Sequence, residues 1–283
     1  MAASLDTSPG ERSFVSYHET QYHFVITARA IPGTQAVARA VALLKVFSDA
    51  QPEWRLTDLA RAAHLHKATA HRLLATLERE GMVVRDASRE HYRLGPEAIA
   101  LGARAARASD LRSVAAPELQ ALATANGETA TLEVPVGGDM LILDEVAGGA
   151  LLGAVPEIGT RWPIHATSTG KALLALLPTQ LRRDYLRTRL TRHTDRTIVS
   201  AAALERELDR IRRKGFAVAA EELERGYLAI GAAVRDHDGR PVAAISLGGP
   251  RLRFPATRVE TLGRHLHAAA SRVSAALGYR GPR

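Results

Sequence analysis

Residues 56–81 have the sequence LTDLARAAHLHKATAHRLLATLEREG, which predicts two short helices joined by a tight turn. Thr57 can cap the first helix through its hydroxyl, and residues 64–66 interrupt the helical pattern. The apolar positions of the second helix recur at i, i+3, i+4 and i+7 and are Ala70, Leu73, Leu74 and Leu77. Its long polar side chains gather in the first two turns, as in a recognition helix that enters the major groove by its N-terminal end. A helical hairpin with a solvated polar face is the alternative interpretation.

The segments on either side of this pair favour DNA binding. Residues 82–85 and 91–94 are predicted strands around the polar turn 86–90, and they make a wing directly after the second helix. A helix capped by Thr34 is predicted before the pair, with an inward face formed by Val37, Val41, Leu44 and Phe47. We therefore expect residues 34–95 to form a winged helix-turn-helix domain that needs all three helices to close its core.

Three stretches carry a resemblance to a known family. AVARAVALLKVF (36–47), the run from Leu56 to Val83 and YRLG (92–95) are similar to the amino-terminal domain of the IclR family of bacterial transcriptional regulators. The resemblance implies that Thr69 and Arg72 read bases and that Lys67 and His71 flank them. An arginine can pair with guanine and a threonine can touch a thymine methyl. The candidates for phosphate contacts, which position a protein without specifying sequence, are Arg39 and Arg89.

Composition restricts the class of protein. A chain of 283 residues, 46% of them apolar, can form two domains. It has no cysteine, which excludes disulfides and thiolate metal sites and favours a reducing, cytoplasmic location. No apolar run approaches the ~20 residues of a membrane span, and no signal-peptide pattern opens the chain. The net charge of +8 favours polyanionic partners without locating them.

The rest of the chain predicts a second domain after a linker. Residues 1–33 lack a sustained period and are expected to be a flexible tail, and residues 96–126 are predicted linker helices. Within residues 127–283 the predicted strands are 129–134, 140–146, 151–155, 216–220, 228–235 and 242–247. The predicted helices there are 167–177, 178–187, 201–214 and 255–277. Strands joined by hairpins, with helices grouped between them, indicate an α+β domain on an antiparallel sheet.

The start of the helix near residue 168 is a candidate anion site. Thr167, Ser168 and Thr169 place hydroxyls where free backbone amides and the helix dipole favour an anion such as a small carboxylate. The alternative is that these hydroxyls only cap the helix. The following Gly170 and Lys171 do not complete a phosphate-loop pattern.

Two further stretches extend the resemblance to about residues 34–278. GTRWPIHATSTGKALLA (159–175) and the run from Ile211 to Pro250 look like the IclR effector-binding domain. The resemblance implies a GAF-like sensor domain for a small metabolite. Carried over by motif position, the implied apolar walls and polar anchors are Leu151, Ala154, Trp162, Ser168 and Thr169. The implied opposite wall is formed by Ala219, Ala229, Ser246 and Gly248.

Departures from the family pattern set expectations for the ligand. The resemblance implies that some relatives that bind small oxo-acids carry an acidic or thiol side chain where this chain has Ala219 and Ala229, and a second serine where it has Gly248. We therefore expect an enlarged cavity whose wall is free of acidic groups at Ala219 and Ala229, with Trp162 as a stacking surface for a larger or aromatic acid. Trp162 as an ordinary core residue is the alternative.

The sequence thus predicts a ligand-responsive transcriptional repressor that binds an operator in double-stranded DNA. It is expected to be a homodimer or homotetramer held by its first and linker helices, without cofactor, metal or catalytic residues. An architectural DNA-binding protein without an effector is one alternative. An enzyme is another, but no HExxH or GxSxG motif supports it, and Glu221, Glu222 and Glu224 are interpreted as a charged turn.

Overall fold

The computed structural model describes residues 33–281 except Asp49, Ala87, Arg89, Ala108 and residues 150–156. The chain divides into two compact units, with a boundary between Val114 and Ala115. The predicted strand 151–155, with Leu151 and Ala154, lies outside the described residues, as do Arg89 and all of the predicted tail but Gly33.

The unit before Val114 is a winged helix-turn-helix. Its elements are α1 (Gln35–Leu44), β1 (Trp54–Arg55), α2 (Leu56–Ala62), α3 (Lys67–Arg79), β2 (Val83–Asp86), β3 (His91–Leu94) and α4 (Pro96–Arg107). The strands form an antiparallel sheet in the order β1-β3-β2. The residues of α1, α2, α3 and the wing that form one core are Leu43, Leu59, Ala60, Ala70, Leu74, Val83 and Tyr92.

Two sequence predictions for this unit need correction, and one element was not predicted. Val37 and Val41 are 67% and 41% exposed, because α1 turns Leu43 into the core instead. Thr57 does not cap α2, which begins one residue earlier at Leu56. The two-residue strand β1 was not predicted, since it is defined only by its pairing with β3.

The second unit is built on a six-stranded antiparallel sheet, which confirms the predicted α+β class. Its helices are α5 (Asp110–Asn126, which contains the boundary), α6 (Ser168–Leu176), α7 (Thr179–Leu186), α8 (Ala201–Lys214) and α9 (Ala256–Ala276). Its strands are β4 (Thr129–Val136), β5 (Asp139–Val146), β6 (Arg161–Pro163), β7 (Ala217–Ala220), β8 (Tyr227–Arg235) and β9 (Pro241–Pro250). The strand order is β6-β5-β4-β9-β8-β7. The predicted hairpin between β4 and β5 turns on Gly137 and Gly138, both with positive φ.

Helices α6, α7 and α8 pack together against the sheet. Their shared core joins Leu173, Tyr185 and Leu208 to Met140 of β5 and Ala244 of β9. Helix α9 packs on β8 and β9. Because α6 is buried along nearly its whole length, its first residues are fixed against the middle of the sheet.

Candidate DNA interface and effector site

Helix α3 presents a polar surface while two fully buried residues, Ala70 and Leu74, hold it in the core. The turn before it closes through a hydrogen bond from Leu65 N to Ala60 O at 2.8 Å, with His64 in the left-handed region at φ 54°. On α3, Thr69 is half-buried, and the exposed candidates are Lys67, His71 and Arg72. The fold thus brings the four predicted α3 residues to one helix end.

The other DNA candidates lie on separate elements. Arg39 is exposed on α1, and the wing turn is shaped by Asp86 Oδ1, which accepts from Ser88 N at 2.9 Å. The wing strands also expose Arg85 and Arg93, which sequence reasoning missed. The two-residue alternation next to the buried Tyr92 could have indicated Arg93, whereas Arg85 has the same parity as the buried Val83 and pairs with Tyr92, so alternation does not predict its exposure.

The start of α6 is a capped helix end buried against the sheet. Thr167, not Ser168 or Thr169, is the N-cap, and its Oγ1 accepts from Gly170 N at 3.1 Å. Ser168 and Thr169 are each only 1% exposed. Gly231 of β8 permits this contact, because a Cβ there would lie 2.6 Å from the Ser168 carbonyl carbon.

The sheet register brings most of the predicted far-wall residues together. Ala219 of β7 lies opposite Ala229 of β8, which lies opposite Gly248 of β9. Ser246 lies opposite Gly231, so it follows in the next row of the same sheet face. Trp162 lies on the edge strand β6 opposite Met140. Ala219 lies on β7 at the other end of the strand order, so the strand order alone does not place Trp162 beside Ala219 and Ala229.

A buried carboxyl from another strand, β4, lies at this helix start, although positions 219 and 229 themselves carry no acidic group. Thr169 Oγ1 donates to Glu133 Oε2 at 2.6 Å, and Thr131 Oγ1 donates to Glu133 Oε1 at 2.8 Å. The hydroxyls of Thr131 and Ser246 are 2.7 Å apart. Burial raises the pKa of Glu133, against the lowering effect of both threonine hydrogen bonds. Sequence reasoning missed Glu133 because its burial depends on α6, which follows it by more than thirty residues.

The space left by Gly248 is also occupied. A Cβ at Gly248 would lie 3.0 Å from Cζ of Tyr227, so the tyrosine ring lies where a serine side chain would be. Burial, with the nearby charge of Glu133, raises the pKa of Tyr227 to about 12. The expected enlargement at this position is therefore wrong, because Tyr227 supplies a phenol where the family pattern has a hydroxyl.

A buried ion pair fixes α6 to the turn between β7 and β8. Lys171 is fully buried, and its Nζ donates to Glu222 Oε1 at 2.5 Å and to Val218 O at 2.7 Å. Burial raises the pKa of Glu222 more than the adjacent ammonium lowers it. Glu222 lies in a charged turn, as predicted, and within it is the buried structural partner of Lys171.

The comparisons with known proteins agree with both halves of the fold. The family model "IclR helix-turn-helix domain" matches residues 36–87, and "Bacterial transcriptional regulator IclR C-terminal" matches residues 103–275. The chain belongs to the IclR family of bacterial transcriptional regulators. It is 32% identical to the Escherichia coli transcriptional repressor IclR over 257 residues, 90% of this chain and 94% of that protein.

Solved structures of IclR proteins share this fold. An IclR transcriptional regulator from Alicyclobacillus acidocaldarius has a TM-score of 0.79 at 29% identity, covering 88% of this chain and all of that one. An IclR homologue from Microbacterium hydrocarbonoxydans, solved with 4-hydroxybenzoate, has a TM-score of 0.72 at 27% identity, covering 86% and 98%. In the described part of our chain, no helix has the length and apolarity needed to cross a membrane.

Proposed function

We propose that this IclR-family regulator is a repressor whose operator binding is modulated by a small organic acid, preferably aromatic. The observation that carries the proposal is the start of α6, where Ser168 and Thr169 are buried beside helix amides and against the sheet. The 4-hydroxybenzoate bound by the Microbacterium homologue supports an aromatic acid.

The DNA-binding unit supplies the operator contacts in this proposal. Thr69 and Arg72 read bases from α3, with Lys67 and His71 beside them. Arg39 and Arg89 contact phosphates. These roles are supported by the exposure of α3 at its N-terminal end and by the match of residues 36–87 to the family's DNA-binding domain.

The effector contacts follow the sheet face under α6. The acid group lies at Ser168 and Thr169, and the carbon skeleton lies toward the small side chains of Ala219 and Ala229. Tyr227 adds a phenol beside them. The remaining proposed lining residues are Leu151, Ala154, Trp162, Ser246 and Gly248.

A thermal-shift screen against carboxylic acids, including 4-hydroxybenzoate, tests the proposed ligand class. An acid present at 100 times its dissociation constant stabilises the native state by about 2.7 kcal/mol. Replacing Ser168 and Thr169 with alanine should remove that shift while circular dichroism and unliganded operator binding stay unchanged. A thermal shift in the double variant equal to that of the wild type would show that both residues only pack in the core. The absence of a thermal shift with any acid would favour an architectural DNA-binding protein.

A further inference from the structure

The carboxyl of Glu133 shares the start of α6 with the proposed effector. Its two oxygens accept from Thr169 Oγ1 at 2.6 Å and from Thr131 Oγ1 at 2.8 Å. An effector oxygen that bonds to Thr169 Oγ1 at about 3 Å therefore lies within about 6 Å of Glu133 Oε2. An acid at this helix end is thus close to a second carboxyl in a buried setting.

The charged groups near Glu133 include a cation that is already paired: Arg253, which lies near Tyr227, donates to Glu128 Oε2 at 2.6 Å. Tyr227 faces it from β8, and Glu145 lies on β5 opposite Thr131. Lys171 is the ionisable residue of α6, and it is held by Glu222 and the Val218 carbonyl. Strand β9 contributes the neutral hydroxyl of Ser246.

We infer that an acid effector binds at the start of α6 together with one proton, which its carboxylate shares with Glu133. The inference rests on the proposed function and adds a residue that sets which ligands the site accepts. The Thr169 hydroxyl has one proton, which it donates to Glu133 Oε2. Two ionised carboxylates on this hydroxyl therefore lack a donor and repel, so one proton is taken up from solvent: protonated Glu133 donates to Thr169 Oγ1, and Thr169 donates to the effector carboxylate. No covalent bond to carbon changes.

Proton sharing has a measurable signature. Only the fraction of protein with protonated Glu133 is competent to bind the acid, so affinity falls tenfold per pH unit above the pKa of Glu133 in the free protein. Burial already raises that pKa.

The Glu133→Gln variant keeps the shape of the side chain and carries a permanent hydrogen-bond donor, so the affinity of this variant for the acid should not vary with pH. The matched control is Glu145→Gln, a carboxyl on the neighbouring strand, which should keep the wild-type dependence.

The experiment is calorimetric titration of the full chain with 4-hydroxybenzoate and with 4-hydroxybenzylamine, at about pH 6 and about pH 8, in two buffers of different ionisation enthalpy. We expect uptake of one proton with the acid in the wild type and none in Glu133→Gln. The buffer comparison on the wild type gives this result even if the variant fails to fold.

Three outcomes would overturn the inference. Acid binding that is independent of pH and buffer would contradict it while leaving the proposed function intact. Tighter binding of the amine, lost in Glu133→Gln, would show that Glu133 recognises a cation instead. If the acid binds neither the wild type nor the Glu133→Gln and Glu145→Gln variants, the result would contradict both the inference and the proposed acid site.

Discussion

Arg72 lies on the exposed side of α3, while Ala70 and Leu74 of the same helix are fully buried. We expect Arg72→Ala to weaken operator binding by ~1–3 kcal/mol and to relax sequence preference, because a bidentate contact to a base is lost. Fluorescence anisotropy with selected and scrambled DNA measures both effects. Arg79→Ala is the matched control, since Arg79 is exposed at the far end of α3 and pairs with Glu80. An unchanged ratio of the two affinities in Arg72→Ala would contradict the assignment.

Glu133 gives a pH dependence to stability. Burial raises its folded pKa above the ordinary value of 4.5, so between the two values the folded chain binds more protons than the unfolded chain. The free energy of unfolding should therefore fall as pH rises through that window. Glu222 and Glu145 shift in the same direction, so the effect of Glu133 is the difference between the wild type and Glu133→Gln. Urea unfolding from about pH 4 to about pH 8 measures it, and parallel curves would contradict the expectation.

Single residues also show where sequence reasoning stopped. The hydroxyls at the start of α6 were found from their local pattern, but which of them caps the helix depends on its exact first residue. Glu133 and Tyr227 lie on strands whose alternation does not show what covers them. Glu133 is covered by α6, which is distant in sequence, and Tyr227 lies against Gly248 of the neighbouring strand β9.

At the scale of elements, α6 depends on its buried ion pair. Lys171→Met should lower the free energy of unfolding by roughly 3–5 kcal/mol, because Glu222 would remain buried without its charged partner. The double variant with Glu222→Gln should recover part of the loss. Urea unfolding at neutral pH compares the three proteins. Equal stability of single variant and wild type would show that the pair does not hold α6 to the turn before β8.

Most elements could be predicted because their periodicity is local. The bounds of α8, with its cap Ser200, follow directly from the apolar stripe and the terminal Gly215. Strands β1 and β6, of two and three residues, were missed because pairing with β3 and β5 alone defines them. The inward face of α1 was misassigned, since Val37 and Val41 fit the helical period but Leu43 enters the core.

At the scale of the whole molecule, we expect at least a dimer. Among its described residues, the DNA-binding unit exposes large apolar side chains on α1, β3 and α4, namely Val37, Val41, Leu94, Ile99 and Leu101. Such exposure is typical of a surface that another protein covers, and paired half-sites need paired recognition helices. Light scattering at micromolar concentration should show a dimer or tetramer.

Charged substitutions test where that contact lies. Val37→Asp and Ile99→Asp should each weaken self-association and operator binding, because a buried charge at the contact lacks a partner. Leu252→Asp is the control, since Leu252 is 97% exposed in the other unit. A monomeric wild type, or self-association that neither α1 nor α4 variant changes, would contradict the prediction.

The most direct test of the central claim, that this chain couples a small acid to operator binding, is an anisotropy titration of labelled operator with the full chain. The operator is a fragment that the protein itself selects from random DNA, and the titration is repeated with each acid that stabilises the protein. We predict that at least one acid changes the apparent Kd for the operator by about 5- to 150-fold, and that Ser168→Ala with Thr169→Ala removes the change. Operator affinity that no such acid alters would contradict the account.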